Sequence, residues 1–381
     1  ERVEKRHILQ ERFYGEIFIS RRILPHRLTS LSIFRLHEHK HMTQSSDARL
    51  QALSDWLRLD LNLKLDSLLP ASSDASFRRY FRAGIGGQDY IVMDAPPSHE
   101  DVRPFIKISG LLQAAGVHAP KIHAQDIEKG FLLLSDFGNR PYLDSLNEET
   151  ADSLYGDALD SLTKLKRGVD IRACGLPSYD EALLRREMDL CPEWFLTGLL
   201  RRDTSPEEKA VLDRTWQILV DSALEQPQVC VHRDYHSRNL MITEENNPGV
   251  LDFQDAVVGP VTYDLVSLLR DCYIAWPKEQ VDDWALSYHR RLLDEGLIGE
   301  TDPQRFLRWF DLMGLQRHIK VLGIFARLYL RDGKPGYLGD LPRVMNYVVE
   351  ASERHPELAG FLAYLRDGVI QQMDAALERA A

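Results

Sequence analysis

The sequence predicts an α+β protein of two lobes, a small β-rich one followed by a larger α-helical one. Three observations carry this. The chain has 381 residues, more than one compact core usually organises. Strand-like apolar runs and Gly turns gather before about residue 136. After Tyr142 the apolar residues recur mostly at helical spacing, broken by short strand-like runs that lead into two clusters of polar residues. The expected divisions are 42–136 for the first lobe and 137–381 for the second, with 1–41 as an extension.

The elements follow in order. Asp47 to Asn62 places Leu50, Leu53, Trp56, Leu57 and Leu61 on one 3.6-residue stripe, which predicts a helix. Ser72 to Arg82, then a Gly turn, then Tyr90 to Met93 predicts a hairpin. Val102 to Ala115 predicts a helix with Gly116 past its end. Gly130 to Ser135 is a buried strand. Helices are expected over Glu149–Lys166, Ser178–Leu200 and Pro206–Glu225, and again after the second polar cluster to the C-terminus.

The polar clusters carry the chemistry. Val229 to Val231 is a short strand that leads into H-R-D-Y-H-S-R-N, His232 to Asn239. Gly249 to Leu251 leads into Asp252 of L-D-F-Q-D. A carboxylate at Asp234, an amide five residues on at Asn239, and a second carboxylate at Asp252 form the set that phosphoryl transfer from a nucleotide needs. Asp234 orients an acceptor hydroxyl and takes its proton, and Asn239 and Asp252 hold Mg2+ on the phosphates of ATP. The H-R-D-x-x-x-x-N spacing is that of the protein-kinase catalytic loop, so the fold class is bilobal and protein-kinase-like. His232 is expected to brace the loop rather than carry protons. Asp136-Phe137-Gly138 spells D-F-G but precedes the catalytic loop, so it reads as the hinge, with Asp252 as the metal residue.

Composition bounds the rest. Hydrophobic content of 44% and charged content of 28% suit a globular protein. A net charge of -11 argues against nucleic-acid binding, which needs a basic surface. The four cysteines, Cys174, Cys191, Cys230 and Cys272, form no C-x-x-C pair and indicate neither zinc nor disulfides. A reducing, cytoplasmic location is expected, with no membrane association, because no apolar run approaches a span. Residues 1–41 hold nine Lys or Arg, five Glu and five His, and the first Met is Met42. That segment is expected to be non-native or disordered.

The chain resembles the aminoglycoside phosphotransferase and choline kinase superfamily through 232–239, V-L-D-F-Q-D at 250–255 and G-P-V-T-Y-D-L at 259–265. The resemblance implies that Asp264 starts a helix and braces the loops. More closely, the chain is similar to the bacterial anomeric kinases of N-acetylmuramate and N-acetylglucosamine used in peptidoglycan recycling. The segments that carry this are 72–82, 91–97, 131–138 and 316–328. The implied reaction moves the γ-phosphoryl group of ATP to the C1 hydroxyl of the sugar. Other acceptors, an aminoglycoside, choline or another alcohol, stay open, as does an inactive nucleotide-binding relative. Nucleotide contacts are expected from Ser72, Ser73, Ser76 and Arg79, and from the hinge at Leu134 and Asp136. Sugar contacts are expected from Arg317 and His318, with Arg317 pairing a lactyl carboxylate. The superfamily's strand Lys is absent from Y-I-V-M-D, where Val92 or Met93 stands, and Arg78, Arg79 and Lys107 are the candidate replacements.

Overall fold

The computed structural model describes residues 48–73 and 77–380, and the chain falls into two units, Glu1–Leu61 and Asn62–Ala381. The extension 1–41 and Ser76 lie outside the described residues. In the first unit, residues 48–55 form an α-helix that widens into a π-turn over Trp56–Asp60. Leu53, Trp56 and Leu57 are buried, as the helical stripe requires.

The second unit begins with a five-stranded antiparallel sheet in the order β1-β2-β3-β5-β4. The strands are β1 (Leu65–Ser73), β2 (Arg79–Ile85), β3 (Gln88–Asp94), β4 (Ile122–Asp126) and β5 (Phe131–Ser135). The β2–β3 hairpin turns on Gly86 and Gly87, both at positive φ, which a two-residue hairpin loop favours. The hairpin starts at Arg79, not at Ser72 as expected. Ser72 and Ser73 instead end β1, a strand the sequence hid because Pro70 interrupts it. β1 is an edge strand with a register shift at Pro70, the setting in which a sheet tolerates proline. β5 is paired on both sides and buried, which explains its unbroken apolar run. Gly130 enters β5 at φ +73, where a Cβ would lie 1.9 Å from the Ala95 carbonyl oxygen.

Among the described residues, nine longer helices accompany the sheet: α1 (Arg103–Ala114), α2 (Ala151–Gly168), α3 (Glu181–Met188), α4 (Pro206–Leu224), α5 (Tyr263–Leu269), α6 (Lys278–Asp294), α7 (Pro303–Leu330), α8 (Leu341–Arg354) and α9 (Ile370–Ala380). The single helix expected over 178–200 is two elements. Asp180 caps α3 through the Leu183 amide, and a π-helical segment then runs from Cys191 to Leu199. Pro192 cannot continue the α3 hydrogen-bond ladder. Gly323 of α7 also presses on the backbone at Leu190, where a Cβ would meet carbonyl carbon and oxygen at 2.3 and 2.4 Å. α4 starts on a capping box of Ser205 and Glu208. α7, 28 residues long, is buried on most of its faces and packs against α4, α5, α8 and the π-helical segment.

Two short antiparallel ribbons carry the polar clusters. β6 (Gln228–Val231) pairs with β9 (Val257–Pro260), and β7 (Leu240–Met241) pairs with β8 (Gly249–Val250). The loops between these strands contain Asp234, Asn239 and Asp252. No helix of the described residues is long and apolar enough to cross a membrane.

Candidate active site

β6 is apolar and buried, and it delivers the chain to His232. The loop that follows is held from several sides. The Asp264 carboxylate, fully buried at the start of α5, accepts the backbone N–H groups of His232 and Arg233 at 2.9 and 3.0 Å. Lys166 of α2, buried as well, stands 3.9 Å from the same carboxylate. Tyr235 donates its hydroxyl to the Ala158 carbonyl of α2 at 2.8 Å. Asp271 accepts from both the backbone and the hydroxyl of Ser237. His232 is buried, and its Nδ1 accepts the Asp234 amide at 3.2 Å. Burial lowers its pKa, so the ring is neutral, as a brace should be.

These ties hold backbone strain in place. Arg233 and Asp252 sit at φ +77 and +60, left-handed conformations that cost non-glycine residues roughly 1–3 kcal/mol. Arg233 is gripped at each of its groups. Its amide goes to Asp264, its carbonyl accepts from Arg317 at 2.8 Å, and its guanidinium meets Glu187 and the Asp255 carbonyl. Asp234 is the next residue, so the strain aims its carboxylate.

Asn239 and Asp252 come together across the two loops. The Asn239 side-chain N–H donates to the Asp234 carbonyl at 3.0 Å and lies 3.4 Å from the Asp252 carboxylate. With the amide nitrogen so engaged, the amide oxygen is left for a cation. Gln254 donates to the other Asp252 oxygen at 2.8 Å. One carboxylate and one amide oxygen form a hard, incomplete ligand set, the kind that holds a divalent ion only together with substrate phosphates and water. Among the described residues no group of three or more His, Cys, Asp or Glu gathers as a metal site. The Phe253 ring packs on Phe105 of α1 at 4.6 Å, which ties the Asp252 loop to the sheet side of the fold.

Arg317 occupies a different place from the one expected, and Lys320, a turn further along α7, shares it. They do not line an open sugar surface; α7 passes beneath the catalytic loop and buries both. Arg317 donates to the Arg233 carbonyl and stands 3.9 Å from the Asp234 carboxylate. Lys320 donates to Glu187 at 2.9 Å and to the Tyr263 hydroxyl at 3.2 Å. Burial opposes ionisation of Asp234, but Lys320 and Arg317 outweigh it and hold the carboxyl below its usual range. Burial opposes ionisation of Glu187 too, and Lys320 and Arg233 bring its pKa down to about 2. His318 is fully buried, bonds the Arg270 carbonyl at 2.9 Å and stacks on Tyr347. Burial lowers its pKa to about 3. It is a neutral core residue, and the expectation that it contacts substrate is corrected.

The expected nucleotide residues scatter. Leu134 is paired on both sides, to Ile91 and Ile122, so its backbone belongs to the sheet. Asp136 lies just beyond β5, and its carboxylate is taken by Arg82 and the Gly138 amide. Phe137 packs its ring against His118 and against Gly249, where a Cβ would come within 2.5 Å of it. Residues 136–138 thus seat on the ribbon that leads to Asp252. Arg79 is bound to the buried Asp94, with Nε at 2.9 Å. Lys107 donates to the Gly175 carbonyl at 2.6 Å. Arg78 is the candidate that reaches the site, with its guanidinium 3.7 Å from the Asp252 carboxylate and its side chain only 11% exposed. Val92 and Met93, at the absent lysine's strand, are core residues. Sequence reasoning missed Glu187 and Asp271. Neither has a local motif; only the tertiary fold turns them toward the catalytic loop.

A kinase-like fold that sets these two loops side by side defines a phosphotransferase. The profile of the phosphotransferase enzyme family matches residues 67–305. The chain is 50% identical over 323 residues to the N-acetylmuramate/N-acetylglucosamine kinase of Pseudomonas putida, which spans 82% of this chain and 94% of that one. The protein of the same name from Neisseria meningitidis is 41% identical over 318 residues, 82% of this chain and 94% of that one. Among solved structures, choline kinase LicA from Streptococcus pneumoniae superposes with a TM-score of 0.56 at 12% identity, over 79% of this chain and 99% of that one. Aminoglycoside phosphotransferase APH(2'')-Ib, bound to ADP, superposes with a TM-score of 0.51 at 17% identity, over 79% and 98%. The chain belongs to the phosphotransferase enzyme family.

Proposed function

We propose that this protein is an ATP-dependent sugar kinase that phosphorylates the anomeric C1 hydroxyl of N-acetylmuramate and N-acetylglucosamine. The observation that carries it is the convergence of Asp234 with the Asn239–Asp252 pair on two strand-led loops, in a chain about half identical to kinases of that name. Asp234 orients the acceptor hydroxyl and accepts its proton. The anomeric hydroxyl is more acidic than an ordinary alcohol, so a carboxylate held ionised by Arg317 and Lys320 is a matched base. Asn239 and Asp252 would hold magnesium, which when bound neutralises charge on the phosphates. Adenine lies at the hinge beyond Ser135, where the five-stranded sheet gives way to the helical 137–381. The location is the cytoplasm, where ATP and recycled sugars meet.

The acceptor atom is open to direct test. Phosphate at C1 removes the reducing end of the sugar, whereas phosphate at C6 leaves it. ADP release and reducing equivalents are measured together, and ADP should rise as reducing sugar falls one for one. ADP release with a steady reducing signal would refute C1 as the acceptor.

Arg78 takes the place of the absent strand lysine in this reading. It stands beside Asp252, where the nucleotide phosphates arrive. Arg78→Ala should raise KM for ATP by about 10–100-fold, the worth of a lost charge-assisted hydrogen bond, and leave KM for the sugar near its wild-type value. Equal loss toward both substrates in steady-state kinetics would assign Arg78 to the fold instead.

A further inference from the structure

A cavity of about 850 Å³ opens beside the catalytic loop, within the range of about 300–1,000 Å³ usual for small-molecule sites. Its wall includes Lys107, Arg186, Glu187, Arg233, Gln254 and Arg327. It borders both functional loops, since Arg233 precedes Asp234 and Gln254 donates to Asp252.

The cations of this wall are not equivalent. Arg233 is paired with Glu187, Arg103, also on the wall, pairs with Asp101 at 3.1 Å, and Lys107 gives one N–H to the Gly175 carbonyl while keeping its charge. Arg186 and Arg327 form no ion pair or side-chain hydrogen bond with any described residue. Arg327 projects from the C-terminal part of α7 and is half-buried, with its Nε shut off from water and without an acceptor. Two acids lie near it, Asp332, held by Arg331 at 2.8 and 2.9 Å, and Glu193, and neither forms an ion pair with it. An arginine cannot shed its charge to escape this cost, so the arrangement favours an anion that enters the cavity.

We infer that Arg327 and Arg186 form a carboxylate-reading subsite that receives the lactyl group of N-acetylmuramate while C1 faces Asp234. The inference rests on the sugar-kinase reading. It moves the carboxylate contact from Arg317, which lies under the catalytic loop, to α3 and the far part of α7. The two proposed substrates differ in this one charged group. Arginine's planar fork matches a carboxylate with two parallel N–H donors, which a lysine cannot reproduce. N-acetylglucosamine has nothing to offer the subsite and binds through the rest of the cavity.

The test is the ratio of kcat/KM for N-acetylmuramate to that for N-acetylglucosamine. Arg327→Ala should lower this ratio by about 10–100-fold, mainly through KM for N-acetylmuramate, and Arg327→Lys should lower it less. Arg186→Ala, at an exposed helix position, should lower it in the same direction and serves where the Arg327 variants do not fold. An unchanged ratio in folded variants, whether both sugars lose or neither does, overturns the subsite. If the wild-type protein turns over neither sugar, the kinase reading itself has failed and the subsite falls with it, so the two failures are distinct.

Discussion

Asp234→Asn is expected to lower kcat by about 10²–10⁴-fold, the usual worth of a positioned general base. Nucleotide affinity and the folded circular-dichroism spectrum should persist. The amide keeps the shape of the side chain, and the loop is still held by Asp264 and Tyr235 and by the hydrogen bond from Arg317 to the Arg233 carbonyl, although Arg317 loses the carboxylate 3.9 Å away and some stability goes with it. Measuring ADP release beside nucleotide titration separates chemistry from binding. A variant that turns over at the wild-type rate would remove Asp234 from the mechanism. The same placement sets a pH dependence. Burial disfavours the charged carboxylate, but Lys320 and Arg317 override it, so the folded pKa lies below the ordinary value of about 4. The base is therefore ionised above that value, and kcat should not fall with its protonation on acidification to about pH 5. By linkage, the depressed pKa stabilises the fold above about pH 4, and this contribution is lost as pH falls through the lower folded value.

Asp252→Ala should weaken Mg-ATP far more than metal-free ATP. Partners one shell out from a metal are worth about 10–100-fold in affinity, and loss of a direct ligand should exceed that. Asp252 is held at positive φ with its carboxylate 3.4 Å from the Asn239 amide nitrogen, so the proposed magnesium pair is set before any ion arrives. Titration with both nucleotide forms, read by intrinsic fluorescence or calorimetry, supplies the contrast. Equal weakening of the two forms would make Asp252 a structural residue.

Much of the site was legible because its signals are local. His232 to Asn239 and Asp252 each follow a short apolar strand, and the spacing within one loop is covalent, so residue order alone announces them. Asp264 was legible through its position in a segment shared with the superfamily. Helices with a clean apolar stripe and an end signal, such as α1 before Gly116 and α4 behind Ser205, fell where periodicity places them. Elements whose stability comes from neighbours did not. β1 contains Pro70 and exists because it is an edge strand on β2. The 178–200 segment changes from α- to π-helix at Pro192, where α7 also packs closely through Gly323.

The sequence by itself determined the class of chemistry, through a carboxylate, an amide and a second carboxylate in two short stretches of chain. Only the tertiary structure decided what surrounds them. Arg317 and His318 were expected at the sugar, yet α7 buries both, and Lys320 with them. Two are turned toward Asp234 and Glu187, and the third toward a core carbonyl. Glu187 carries no motif, and Arg78 and Arg327 lie in segments shared with relatives whose chemistry the sequence does not reveal. Their places are set by distant segments, which bring one beneath the loop that follows β6, one beside Asp252 and one into the cavity wall. The physical reason is that a charge acts through space at a few ångströms, and the distance between residues far apart in the chain is set by packing, not by spacing.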